Sequence, residues 1–235
     1  MKLNTNSNTY ILAYASLLVI AVAFVLAYFS QALKPIQDKN VALDKKKQII
    51  AALNIRDVND NQVEEYYNKL VEADEIINEK NEVLSAGKPG GENDGFKLNG
   101  GDFKAGKLAL FVCNVDGQKK YVMPVYGMGL WGGISGYIAI NADKETIYGV
   151  YFNHEGETAG LGAEIKDNQK WQQQFCGKHL FADDNQDAVA LSVCKKVDNP
   201  ATQVDGVSGA TLTCDGVTRM IHEGLGKYLV FLKDK

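Results

Sequence analysis

Asp205-Gly206-Val207-Ser208-Gly209-Ala210-Thr211-Leu212-Thr213 packs three hydroxyls and two glycines into nine residues. Directly after it, Val217, Ile221, Leu225, Leu229 and Leu232 form one apolar stripe, which predicts an amphipathic helix over residues 215–232. The stretch is therefore a loop entering a helix. Glycines let backbone approach a ligand closely. A helix N-terminus presents unpaired N–H groups and a partial positive charge, which suit a phosphate. Three readings compete. Thr213 can simply cap the helix. Gly206-Val207-Ser208-Gly209-Ala210 falls one residue short of a nucleophile elbow. That reading needs a buried strand ahead of it, which Asn199-Pro200-Ala201-Thr202-Gln203 does not resemble, and its only base, His222, falls mid-helix. The third reading has a threonine hydroxyl touching a phosphate or joined to one.

Working outward, strand patterns crowd the middle of the chain. Leu108–Val115 and Lys120–Tyr126 flank Asp116-Gly117, a hairpin turn signal. Ile134–Ile140 and Thr146–Phe152 form a second hairpin around Asn141-Ala142-Asp143, and Ala188–Val193 reads as a further strand. A helix is expected over Ala163–Phe175. Strands interrupted by single helices predict an α+β domain with a mainly antiparallel sheet and flanking helices, over residues 96–235.

Residues 1–30 read as a membrane anchor. Tyr10–Phe29 is a twenty-residue run in which only Ser16 is clearly polar. A bilayer core of ~30 Å needs about 20 helical residues. Tyr10, Tyr14 and Tyr28 lie toward the ends, where amphipathic rings favour the interface. The run is longer than a signal peptide's apolar region, and Ser30-Gln31-Ala32 is a poor cleavage site, so the anchor is expected to be uncleaved. Lys2 precedes the span, whereas Lys34, Lys39, Lys45, Lys46 and Lys47 follow it. Taken alone, that asymmetry places the large domain in the cytoplasm, although the rule weakens for long domains.

Residues 31–95 read as a connector with helices at Val41–Leu53 and Gln62–Val71, then a mobile, turn-rich Gly87–Gly95 segment. Lys45-Lys46-Lys47 reads as a solvated face or a headgroup contact, and Lys195-Lys196 as a solvated strand end or a phosphate contact.

The balance of 25 basic and 29 acidic residues, with no basic stripe, excludes nucleic acid as a partner. Cys113, Cys176, Cys194 and Cys214 stand singly, and His154, His179 and His222 lie far apart. That spacing offers no metal site, and buried single thiols are the plain expectation.

Asp205–Thr211 resembles the flavinylation motif of the FMN-binding domain family. There the threonine of Ser-Gly-Ala-Thr is joined to FMN through a phosphoester by a separate flavin transferase that draws FMN from FAD. The resemblance makes Thr211 the attachment residue, with Asp205, Ser208, Gly209, Ala210, Leu212 and Thr213 around it. Glu157-Thr158-Ala159-Gly160-Leu161-Gly162 resembles the Glu-Thr-Pro-Gly-Leu-Gly loop that lies against the flavin, with Ala159 where proline is usual. It adds Glu157, Thr158, Gly160 and Leu161 to the implied contacts. Gly127-Met128-Gly129-Leu130-Trp131-Gly132 resembles a Gly-x-Gly-Leu-Trp segment of one subfamily, the C-type subunits of the sodium-translocating NADH:quinone oxidoreductases (Na+-NQR), and adds Leu130 and Trp131. The G-type subunits of Rnf electron-transport complexes share the anchor and the threonine motif.

The resemblance implies an electron carrier with no catalytic residue of its own, in a complex that oxidises NADH, reduces quinone and exports sodium. It also implies neighbours in subunits B, D and E, and an FMN domain on the periplasmic face of the bacterial inner membrane, against the lysine count. The competing class is a non-catalytic anchored binding module.

Overall fold

A computed structural model of the chain describes residues 7–183 and 185–234. Lys2, which enters the charge asymmetry, lies outside them. The chain divides into two compact units, one ending at Asp44 and one starting at Lys45. Helix α1, Asn8–Ala52, runs through the expected span and on through the expected Val41–Leu53 helix as one 45-residue element. Its first half exposes Leu12, Leu17, Val19, Phe24 and Leu26. It is the one helix among the described residues long and apolar enough to cross a membrane.

The second unit is built on a six-stranded antiparallel sheet of order β2-β1-β3-β4-β5-β6. Its strands are β1 Val71–Ile77, β2 Val83–Ser85, β3 Leu108–Val115, β4 Gln118–Met128, β5 Gly133–Asn141 and β6 Ile147–His154. The α+β reading holds. Asp116 and Gly117 turn β3 into β4 with φ of 50° and 79°. Two positive φ values give the hairpin the twist of its strands, which is why Asp-Gly marks it. Leu108, Leu110, Met123, Val125, Ile138 and Phe152 alternate onto the face that receives α6, Thr211–Gly226. The residues between them are buried as well: Phe111, Cys113 and Val122 have no more than trace exposure. Helix α2, Val63–Leu70, packs on β1 and β3, and α3, Gly100–Lys104, lies beside β3; Ile49 and Ile50 near the end of α1 are buried.

Several expectations change. The connector does not stand apart: β1 and β2 lie inside residues 31–95 yet belong to the domain's own sheet. Their alternation is blurred by Glu72, Asp74 and Glu75, which hid the strand. The segment expected to be mobile is fastened down. The Asp74 carboxylate, fully buried, accepts the backbone N–H groups of Lys88 (3.3 Å), Asp94 (2.9 Å) and Phe96 (3.2 Å). Tyr67 Oη donates to Gly91 O at 3.0 Å. The lysine run is not a solvated face. Lys45 Nζ donates to the carbonyls of Phe96 and Leu98, Lys46 pairs with Glu92 at 2.5 Å, and Lys47 pairs with Asp60 at 2.5 Å.

The single helix expected over Ala163–Phe175 is two short ones, α4 Glu164–Asp167 and α5 Gln169–Gln173. Asn168 divides them, because its side chain caps α5 through the Trp171 amide. The expected strand Ala188–Val193 shrinks to β7, Ser192–Cys194, which pairs in parallel with β8, Gln203–Asp205. The last helix is α6 and then α7, Leu229–Lys233. At the sheet's far edge, Asn54 Nδ2 and an Arg56 guanidinium nitrogen donate to the β6 carbonyls of Tyr148 (2.6 Å) and Val150 (2.7 Å).

Removing the Asp74 carboxylate strands three amides. Each unsatisfied buried donor costs about 1–3 kcal/mol, so Asp74→Ala is expected to lose roughly 3 kcal/mol or more. Urea unfolding of the detergent-solubilised protein measures the loss. Hydrogen exchange should show it as faster exchange at Lys88, Asp94 and Phe96.

Candidate functional site

The hydroxyl-rich loop is held from both sides. Trp171 Nε1 donates to Asp205 O at 2.8 Å, and the Asp205 amide donates to Gln174 Oε1 at 3.1 Å. Gly206 N donates to Cys194 O at 2.9 Å, and Val207 N to Cys214 Sγ at 3.3 Å. A strand does precede the loop, but β8 is only three residues long. His222 Nε2 lies 3.0 Å from Leu191 O and is engaged there, so the base that the elbow reading named is occupied elsewhere and that reading fails.

Helix α6 begins at Thr211, four residues ahead of the expected start. Thr213 is therefore not the cap; it sits in the first turn. Ala210 holds the cap position and has no side-chain acceptor to offer, so no side chain caps the first turn. Thr211 is exposed on that turn. A cavity of about 310 Å³ opens beside it, lined by Lys195, Asp205, Ser208, Gly209, Thr211 and Asp215 among others. Lys195 is exposed at the end of β7 and lines this cavity.

Glu157 ties three segments together. Its carboxylate accepts the Thr213 hydroxyl at 2.6 Å and the Trp131 amide at 2.9 Å, and its own amide donates to His154 Nδ1 at 3.2 Å. Glu157 is 7% exposed. Burial pushes its carboxyl upward, but the hydrogen bonds from Thr213, Trp131 and Leu130, with His154 nearby, outweigh it and hold the group below the usual carboxylate range. The packing leaves no room for a β-carbon at Gly162: it would meet Glu157 Oε2 at 2.4 Å and Thr213 Oγ1 at 2.7 Å. Gly209, at φ 77°, brings its loop against Leu161, whose Cδ2 would lie 2.8 Å from an added β-carbon. Two separate stretches of sequence, 157–162 and 205–213, thus meet at Leu161, and 127–132 joins them through Glu157.

Above this junction Leu130, Trp131, Leu161 and Leu212 are 47, 68, 42 and 57% exposed. Thr158 and Gly160 belong to the same loop, with Gly160 exposed at φ 73°. A planar aromatic cofactor and a phosphate fit this arrangement: apolar side chains for a ring, and an uncapped helix terminus with a lysine for an anion. His154 was not among the expected site residues, because it looks isolated along the chain. The only signal was its position three residues before Glu157.

Residues 129–226 match the family model described as an FMN-binding domain. Over 255 aligned residues the chain is 31% identical to the C-type subunit of the Na(+)-translocating NADH-quinone reductase of Haemophilus ducreyi, covering 99% of this chain and 97% of that one. This chain belongs to the NqrC family, the C-type subunits of Na(+)-translocating NADH-quinone reductases. A crystal structure of the corresponding subunit from Parabacteroides distasonis superposes with a TM-score of 0.78 at 36% identity, over 86% of this chain and 98% of that one. The crystal structure of NqrC from Shewanella oneidensis gives 0.65 at 27% identity, over 83% and 100%. Membership of the NqrC family agrees with the Gly129-Leu130-Trp131 segment, and the family model begins at Gly129.

The folded-state value of Glu157 lies below its ordinary 4.5, so the folded protein favours the ionised form. Its contribution to stability is present above pH ~4.5 and lost as pH falls through the folded value. Glu157→Gln keeps the contacts to Trp131 and Thr213 but makes them neutral, so it is expected to cost about 1 kcal/mol at pH 7, the difference between charged and neutral hydrogen bonds. The gap to the parent should narrow toward pH ~3 in acid-titrated unfolding curves.

Proposed function

We propose that Thr211 carries FMN through a phosphoester on its hydroxyl, and that the chain relays electrons within a Na(+)-translocating NADH-quinone reductase. The observation that supports this most strongly is Thr211 itself: an exposed hydroxyl on the uncapped first turn of α6, facing a cavity it shares with Ser208 and Lys195. A phosphodiester there keeps one negative charge. The α6 terminus and Lys195 oppose that charge, with the helix term worth about 0.3–1 kcal/mol. Attachment replaces the phosphoanhydride of FAD by the Thr211 oxygen–phosphorus bond. AMP leaves, and the hydroxyl proton passes to a base of the flavin transferase.

When bound, FMN supplies the redox chemistry. This chain's residues place it. Leu130, Trp131, Leu161 and Leu212 provide an apolar seat for the ring. Ser208, Gly209 and Ala210 shape the turn beside the phosphate, while Asp205 fixes the loop through its backbone. Thr158 and Gly160 border the ring's seat, and Thr213 holds Glu157. A tether makes dissociation irrelevant and keeps the flavin at a fixed local concentration. Subunits B, D and E are the proposed neighbours, and the proposed orientation is a single pass of the bacterial inner membrane with the domain in the periplasm. The span carries no acidic or basic residue between Tyr10 and Phe29, so sodium passage is assigned to other subunits.

Full-length protein made with a flavin transferase should give a fluorescent band under ultraviolet light after denaturation on a gel. Thr211→Ala should abolish that fluorescence and change stability by less than ~0.5 kcal/mol, as expected for an exposed position. A dark band from the parent would support the binding-module class instead. Orientation has its own test. Cys176 is exposed, so a membrane-impermeant maleimide should label it in intact spheroplasts, and Cys176→Ser should lose the label. Labelling that requires lysis would place the domain in the cytoplasm.

A further inference from the structure

We infer that the buried Glu157 carboxylate is a positioning residue that holds the flavin's reduction potential down, by fixing a negative charge beside the ring's seat. This rests on the flavin reading above. Glu157 touches the Trp131 amide and the Thr213 hydroxyl and packs against Gly162. Trp131 is itself one of the exposed apolar side chains, and Leu161 and Leu212 are chain neighbours of Gly162 and Thr213. The carboxylate therefore lies against the backbone from which Trp131, Leu161 and Leu212 extend, and its partner Thr213 is two residues from Thr211 in the first turn of α6.

Each electron taken up by the ring, from the complex's donor or from an electrode, adds one negative charge until a proton follows. A fixed charge of the same sign beside the ring's seat opposes that uptake, and burial of Glu157 itself weakens the screening by solvent. Charges near a flavin are one of the means by which a protein sets its potential. Isosteric glutamine preserves both contacts: its oxygen accepts from Trp131, and its amide donates to the Thr213 oxygen.

Full-length parent, Glu157→Gln and Thr213→Val are prepared with a flavin transferase and titrated spectroelectrochemically at pH 7. Covalent flavin in the parent gel band tests the underlying reading separately, and its absence would overturn both. With flavin attached, Glu157→Gln should favour the one-electron reduced form about tenfold, an upward shift of roughly 59 mV. An unchanged or lower potential would overturn the inference while leaving the flavin assignment standing. So would a natively folded Glu157→Gln protein that no longer accepts flavin, because the carboxylate would then act in attachment. Thr213→Val keeps the charge and removes a hydrogen bond that disperses it, so its potential should match or fall below the parent's. A rise in that variant would show that disturbed packing, rather than charge, sets the potential, and it decides the matter even if Glu157→Gln does not fold.

Discussion

A single buried carboxylate organises the site. Glu157 binds a backbone amide from the loop between β4 and β5 and a hydroxyl from the first turn of α6, while its own amide rests on His154 at the end of β6. Sheet pairing already sets His154 beside Ile134 and α6 lies along β4, and the carboxylate joins the loops that these elements bring near. The glycines around it follow from that convergence, since a β-carbon at Gly162 would occupy the space the carboxylate and Thr213 already fill. Charge-assisted hydrogen bonds are short and roughly twice as strong as neutral ones, which suits a group that must hold loops with few contacts of their own.

A second carboxylate, Asp74 on β1, plays the same part elsewhere in the sheet. It gathers three amides of a glycine-rich segment that otherwise has little regular structure. Both acids show one solution to one problem. A loop with orphaned N–H groups can be ordered without secondary structure if a single acceptor with several lone pairs is buried beneath it.

Much of the fold could be read from local chemistry. Asp116-Gly117 announced a hairpin because two positive φ values need residues that tolerate them. Twenty apolar residues announced the span. The three motif blocks were legible by resemblance, and the structure shows the contacts that bring them together. What escaped depended on distant partners. Nothing local shows that Asp74 is buried, or that Lys46 will find Glu92. Local sequence points to a later start for α6 because Ser and Thr are favoured caps, whereas the cap position falls to Ala210 and leaves the helix end open. Strand β8 is three residues long, too short for any period to show. The lysines counted toward a cytoplasmic orientation include two that are paired with acids of the folded domain, Lys46 and Lys47, which weakens that count as a guide to what the membrane surface meets.

The hydrogen bonds that Asn54 and Arg56 make to the β6 carbonyls have a consequence for the chain's life among its own copies. A sheet's outer strands invite another chain to pair with them, and proteins blunt that hazard by shortening, charging or covering the edge. Here one outer strand, β2, is three residues long, and the other has its carbonyls at Tyr148 and Val150 already taken by an amide and a cationic side chain. Packed at high density along a membrane, such domains resist edge-to-edge aggregation, and Arg56, outside the loops that meet at Glu157, is a residue whose loss would appear as insolubility rather than as slow electron transfer.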